Sequence, residues 1–300
     1  MDVRCQAMSD ELMRSTGSAL VAADEALHPM LRAVLGAYDG ERDVRFKAGL
    51  RLSAASVRFL VGRPALWPAV ALPILINLGL FAGALVALWL HGGALLDMIW
   101  AHPLEGEGPL YALLMGGWYV FRFLGAIVGV VASYALVMVV GGVVASPFHD
   151  YLSERTERDL LGARYAARPQ SEWWRSIGAS LISSALTAGL YIAVMIPLFM
   201  LNIIPAVGSL TYTVLGGAAS SFFLGLEYSD GALARRGWPW SKKIRVFWEE
   251  RSLTLGFGLG TSIMMAVPLL NLFVAPIAVI GGTALAITLD ERRVEPPQNG

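Results

Sequence analysis

The sequence predicts an all-α integral membrane protein, with two long transmembrane helices and two helical hairpins that enter from the cytoplasmic side, at least one of them re-entrant. Three observations carry this. Of 300 residues, 56% are hydrophobic and only 15% charged, where a soluble domain carries about 25% charged residues. Four blocks, 64–96, 123–149, 176–226 and 252–289, contain no Asp, Glu, Lys or Arg. All 23 Lys and Arg except Arg122 fall in segments that alternate with these blocks so as to share one side. Basic loops stay in the cytoplasm, so that side is the inner face.

The elements follow in order. Residues 1–44 are more polar and alanine-rich, with Pro29 inside the run, and read as a cytoplasmic extension that is partly helical. In 45–63, Phe46, Leu50, Ala54, Val57 and Val61 recur at helical spacing, with Arg45, Lys47, Arg51 and Arg58 mainly off the stripe. That pattern predicts an interfacial helix on anionic headgroups. It opens a membrane domain over 45–290. A span needs roughly 20 apolar residues, which places one over 64–90 and a returning one over 110–146. A cytoplasmic segment follows over 150–175, then a hairpin over 176–226, a second cytoplasmic segment over 227–251, a hairpin over 252–289 and a tail over 291–300.

Both hairpins show where the chain reverses. The third charge-free block is too long for one helix, and "NIIPAVGS" puts Pro205 and Gly208 between its two apolar legs. In the fourth, "PLLN" at 268–271 supplies a helix-stopping proline and a turn-favouring asparagine. Its first leg, 252–267, would be about 24 Å as a helix, short of a hydrocarbon core of about 30 Å. A turn at membrane depth must be covered by protein or water.

Several function classes drop out. Net charge is zero, so no basic field points to nucleic acid. There is one cysteine, Cys5, and the four histidines have no metal-ligand spacing. The first strongly apolar run begins near residue 64, so no cleavable signal peptide is expected. No P-loop, G-x-S-x-G or H-E-x-x-H is present, and "GFGLG" at 256–260 sits inside an apolar run. No nucleophile–base pair can be assembled, so an enzyme and a cofactor are not expected.

Some charges invite local readings. Glu154 and Arg158 are four apart in the favourable order for a helical ion pair. Arg122 beside Trp118 and Tyr119 reads as an interfacial anchor. Asp230 would cap the amides of the following segment or pair with Arg235.

The order of parts resembles the CysZ family of bacterial sulfate permeases, related to the eukaryotic etoposide-induced endoplasmic-reticulum proteins. Three motifs carry the likeness, which spans about 46–289. The first is "ASPFHDYLSERTE" with Ala145, Pro147, Phe148, Leu152, Glu154 and Glu157, where His149 stands for an asparagine. The second is Tyr228 and Asp230, followed by Gly231 and Ala232 instead of Tyr-Pro. The third runs nearly intact from Val267 to Val279. The resemblance implies a permease or channel for a small inorganic oxyanion, sulfate by default, in the inner (plasma) membrane. It also implies a homo-oligomer in the bilayer with both termini cytoplasmic.

The family binds sulfate through backbone amides and arginine in a "P-G-L-R-R" motif. The matching stretch here is Pro64, Ala65, Leu66, Trp67 and Pro68, without either arginine. The substrate-binding candidates are therefore Arg63, Ala65, Leu66 and Trp67. Glu154, Glu157, Arg158 and Asp230 are the candidates for a polar network under the permeation path. Pro147, Phe148, Pro205, Gly208, Tyr228, Pro268 and Asn271 are expected to be structural family positions. The alternative function is a non-transporting membrane scaffold that keeps the fold.

Overall fold

The computed structural model describes residues 28–38, 40–103, 106–165, 173–205 and 207–294. Among them the secondary structure is entirely helical. The helices are α1 (Pro29–Tyr38), α2 (Arg42–Val61), α3 (Trp67–Ile99), α4 (Pro109–Leu161), α5 (Trp173–Met200), α6 (Val207–Arg235), α7 (Trp240–Glu249), α8 (Arg251–Met265) and α9 (Pro268–Val294). Five segments are long and apolar enough to cross a membrane: 64–99, 109–161, 182–203, 207–235 and 270–291. The all-α membrane class is therefore met. Residues 1–27 of the expected extension, 166–172 of the segment 150–175 and 295–300 of the tail lie outside the described residues.

The chain divides into two compact units, 68–149 and the remainder. The first unit is an antiparallel pair. Leu96 lies against Gly125, Leu88 against Gly129 and Asn77 against Gly141, and Phe81 meets Tyr134 edge-on at 6.4 Å. Arg122 donates to Asp97 at 3.0 Å and lies over the Trp118 ring, the mixed polar–aromatic character of a membrane interface. The most apolar stretch of α4 is 0% buried and that of α3 17%. Such surfaces need lipid or another chain against them.

In the second unit α2 packs on α8, α8 on α6, and α6 on both α5 and α9. The α2–α8 approach depends on glycine. A Cβ on Gly256 would meet the Phe46 carbonyl oxygen, and one on Gly49 would meet the Leu253 carbonyl. Gly256 and Gly260 of "GFGLG" thus lie against α2, and its Gly258 lies against the Ser221 backbone of α6. Small residues allow this closeness in lipid-facing helices, where no hydrophobic drive remains between them.

The buried face of α2 is Ala48, Gly49, Leu52, Ser53, Ser56, Phe59 and Leu60. The apolar stripe read from the sequence, Phe46 to Val61, is the part-exposed face beside it. One face packs on protein through small residues, and the other is partly exposed.

α4 runs unbroken through Pro147 to Leu161, so the segment 150–175 begins as a helical continuation of the second long helix. A proline inside a helix forfeits one backbone bond, and the surrounding turns of a long helix tolerate that. The reversal of the last hairpin lies at Ala266 and Val267, not at "PLLN". Pro268 opens α9, the position where its missing N–H costs nothing, and the Asn271 amide donates to the Val267 carbonyl at 2.9 Å.

α1 docks through His28. Its Nδ1 accepts from the Met30 amide at 3.2 Å, its Nε2 lies 3.3 Å from an Arg63 nitrogen, and its ring meets the edge of Phe59. Burial first, then the Arg63 guanidinium, holds its pKa below the ordinary 6.5, against the opposing pull of Asp159. The folded state therefore favours the neutral ring. That contribution is complete above the unfolded pKa and is lost as pH falls through the lower folded one. The protection factors of the Met30–Tyr38 amides, which correct for the intrinsic exchange rate at each pH, are expected to fall between pH 7.5 and 5, and less so in His28→Asn. Equal protection factors at both pH values in the parent chain would refute this.

Candidate functional site

The segment that leads into α3 is a single 3-10 turn, Pro64–Leu66. The Leu66 amide donates to the Arg63 carbonyl at 3.0 Å, and the Trp67 amide to that of Pro64. Leu66 is 1% exposed, Ala65 is exposed, and the Trp67 ring packs edge-on against Phe273. Arg63 is held on three sides. Its Nε donates to Asp159 at 3.0 Å, its guanidinium lies 3.6 Å over the Phe59 ring, and it touches His28. The cation of this stretch is thus shared among internal partners.

The four polar-network candidates fall in three places. Glu154 pairs with Arg158 at 3.2 Å and accepts from the Tyr165 hydroxyl at 3.1 Å, on a surface where such a pair contributes little.

Glu157 sits in a larger buried cluster that ties α4, α6 and α9 together. It accepts from Arg236 at 2.7 Å and Arg235 at 3.4 Å. Arg236 also donates to Asp290 at 2.6 Å, which in turn accepts from the Trp238 indole at 3.0 Å. Arg235 donates to Ser153 at 2.6 Å, and Ser153 meets Thr283 at 2.7 Å. Asp150 lies 3.9 Å from Arg235. Two guanidiniums face three carboxylates, so the cluster carries no positive surplus. Among the described residues, two of its buried donors, Arg235 Nη1 and Arg236 Nε, have no hydrogen-bond partner.

Asp230 is elsewhere, and the capping expectation is corrected. It lies inside α6, and the helix that follows, α7, is preceded by Pro239 and not by Asp230. Its cation is Lys243 of α7, at 2.6 Å, and not Arg235. Ser183 of α5 donates to the same carboxylate oxygen at 2.6 Å and accepts from Lys243 at 3.2 Å. Lys243 is 1% exposed and Asp230 4%. Neither Lys243 nor Ser183 stood out in the sequence. Lys243 reads as one more residue of a basic segment, and only the i, i+3, i+4 run Lys243, Val246, Phe247, the buried face of α7, marks it as inward-facing.

The family-motif positions lie within helices, at helix starts or in turns. Pro147 and Phe148 lie within α4, and Pro205 in the turn between α5 and α6. A Cβ on Gly208 would strike the Leu201 carbonyl. The Tyr228 backbone is where Gly282 of α9 comes closest. Pro268 and Asn271 form the first turn of α9. Among the described residues no three His, Cys, Asp or Glu converge as a metal would require.

The sequence model of the family described as sulfate transporter CysZ/etoposide-induced protein 2.4 matches residues 54–276. The chain belongs to this family. The match runs from the middle of α2 into the first turns of α9, and so covers both long helices, the α5–α6 hairpin and the α8–α9 reversal. Membership in the CysZ/etoposide-induced family makes this a membrane protein of a transporter family, not of an enzyme family. His28 and Asp290, which complete the Arg63 and Glu157 contacts, lie outside the matched residues.

Proposed function

We propose that the chain is a permease or channel for a small inorganic oxyanion in the inner (plasma) membrane, with sulfate as the family default. Family membership over 54–276 carries the reading. The exposed α3 and α4 surfaces suit a homo-oligomer. Radiolabelled sulfate should enter proteoliposomes that contain the chain. No flux above empty vesicles, for sulfate and for other oxyanions alike, would end the proposal.

One observation favours a second reading, a scaffold that keeps the fold without transport. Trp67 and Pro68 stand where the resemblance calls for arginines, and Arg63 is engaged by Asp159. The same flux measurement separates the two.

The α8–α9 hairpin is proposed to be re-entrant. α8 has 15 residues, about 22 Å of helix against a core of about 30 Å. A cysteine placed at Asn271 should resist membrane-impermeant thiol reagents added from outside. Rapid labelling from outside alone would mean that the hairpin spans fully.

A further inference from the structure

The cleft between α5 and α6 holds a carboxylate, Glu227, that makes no ion pair among the described residues. α5 presents Thr187, Ala188 and Tyr191, and α6 presents Ser220, Leu224 and Glu227, around about 490 Å³. The spacing within each set is i, i+1, i+4 and i, i+4, i+7, so both rows line one helix face. Four residues along the cleft carry hydroxyls, Ser184, Thr187, Tyr191 and Ser220, and the last three are engaged. Tyr191 bonds Ser220 at 3.0 Å, and Thr187 accepts from the Trp240 indole at 3.2 Å. What remains is an apolar floor, the Ser184 hydroxyl and one charged group. Glu227 is exposed and makes no hydrogen bond or ion pair among the described residues. The nearby Lys243 is committed to Asp230.

We propose that this cleft binds the primary-ammonium headgroup of an aminophospholipid, phosphatidylethanolamine in chemical class, with an acyl chain along the floor. Charge excludes the anion: a carboxylate at the mouth repels sulfate, so the cleft is not part of an oxyanion path. Charge and hydrogen bonding favour the ammonium, whose three N–H donors match a carboxylate's lone pairs. A quaternary choline offers none. Polarity sets the orientation. Glu227 lies at the end of α6 that leads to Arg235, Arg236 and the basic α7, the cytoplasmic end by the distribution of basic residues. Ser220 lies about 10 Å deeper along the helix. An inner-leaflet lipid has the same layout, with its cation at the surface and its chains inward.

Native mass spectrometry of the full chain in mild detergent tests this, with dioleoylphosphatidylethanolamine, dioleoylphosphatidylcholine and free ethanolamine as probes. The ethanolamine lipid should be retained several-fold over the choline lipid. Glu227→Gln should reduce it to the choline level, with an unchanged lipid-free melting midpoint. Ala188→Phe, which fills the cleft and leaves the carboxylate, should lose retention as well. If Glu227→Gln does not fold, the Ala188→Phe result and the parent chain's preference between the two lipids decide. Equal retention of both lipids by the parent chain would overturn the proposal, as would undiminished retention by a folded Glu227→Gln. Displacement of the lipid by an equal concentration of free ethanolamine would also overturn it, because the ligand would then be a soluble amine.

Discussion

Lys243→Ala is expected to destabilise the protein more than any other single side-chain truncation, by roughly 3–5 kcal/mol. The ammonium is 1% exposed and lies 2.6 Å from Asp230. Its removal takes the Lys243 cation from a buried carboxylate to which the Ser183 hydroxyl still donates. Most of the cost is that stranded charge and not the lost attraction, because ion pairs inside proteins roughly break even against apolar replacements. Asp230→Ala should therefore be similarly harmful, stranding the ammonium instead. The pair Lys243→Met with Asp230→Leu should recover much of the loss. Thermal unfolding followed by size-exclusion recovery in detergent measures all four chains. Additive losses in the double variant would mean that the two groups do not act on each other.

The second large effect is expected at Gly258. A methyl group there meets the Ser221 carbonyl, which is backbone and cannot swing aside. Gly258→Ala should force α8 away from α6 at a cost of about 1–3 kcal/mol, as overpacking does elsewhere. Gly189→Ala in α5 is the control, because nothing lies within 4 Å of its added carbon. It should be neutral or slightly stabilising, since alanine is the better helix former. Equal melting temperatures for the two variants would contradict a glycine-dependent crossing.

The spans were legible because lipid imposes a composition. A run without charge must be apolar throughout, and its ends are marked by the first Asp, Lys or Arg. Details that depend on one residue were not legible. Pro147 looks like the end of a span, yet a long helix carries it because the neighbouring turns hold their bonds. "PLLN" looks like a turn, yet proline is equally at home as the first residue of a helix, and that is where Pro268 sits.

The polar clusters were less legible still. Glu154 and Arg158 are four residues apart, so their pairing follows from helical spacing alone. Asp230 and Lys243 are on different helices, and the hydrogen bond between Ser153 of α4 and Thr283 of α9 joins residues 130 apart. Only the folded packing of α6 on α7 and of α4 on α9 brings those together. Arg63 illustrates the same limit. Its place beside the expected anion motif is plain in the sequence, whereas its Asp159 partner is not.

The environment of α9 has a consequence for biogenesis. Every residue from Pro276 to Leu289 is buried, enclosed by α1, α2, α6 and α8. Those helices leave the ribosome first, and the faces they turn toward α9 stay unfilled until it is made. The fold closes only when the latest-synthesised of these helices slides into the middle of the earlier ones.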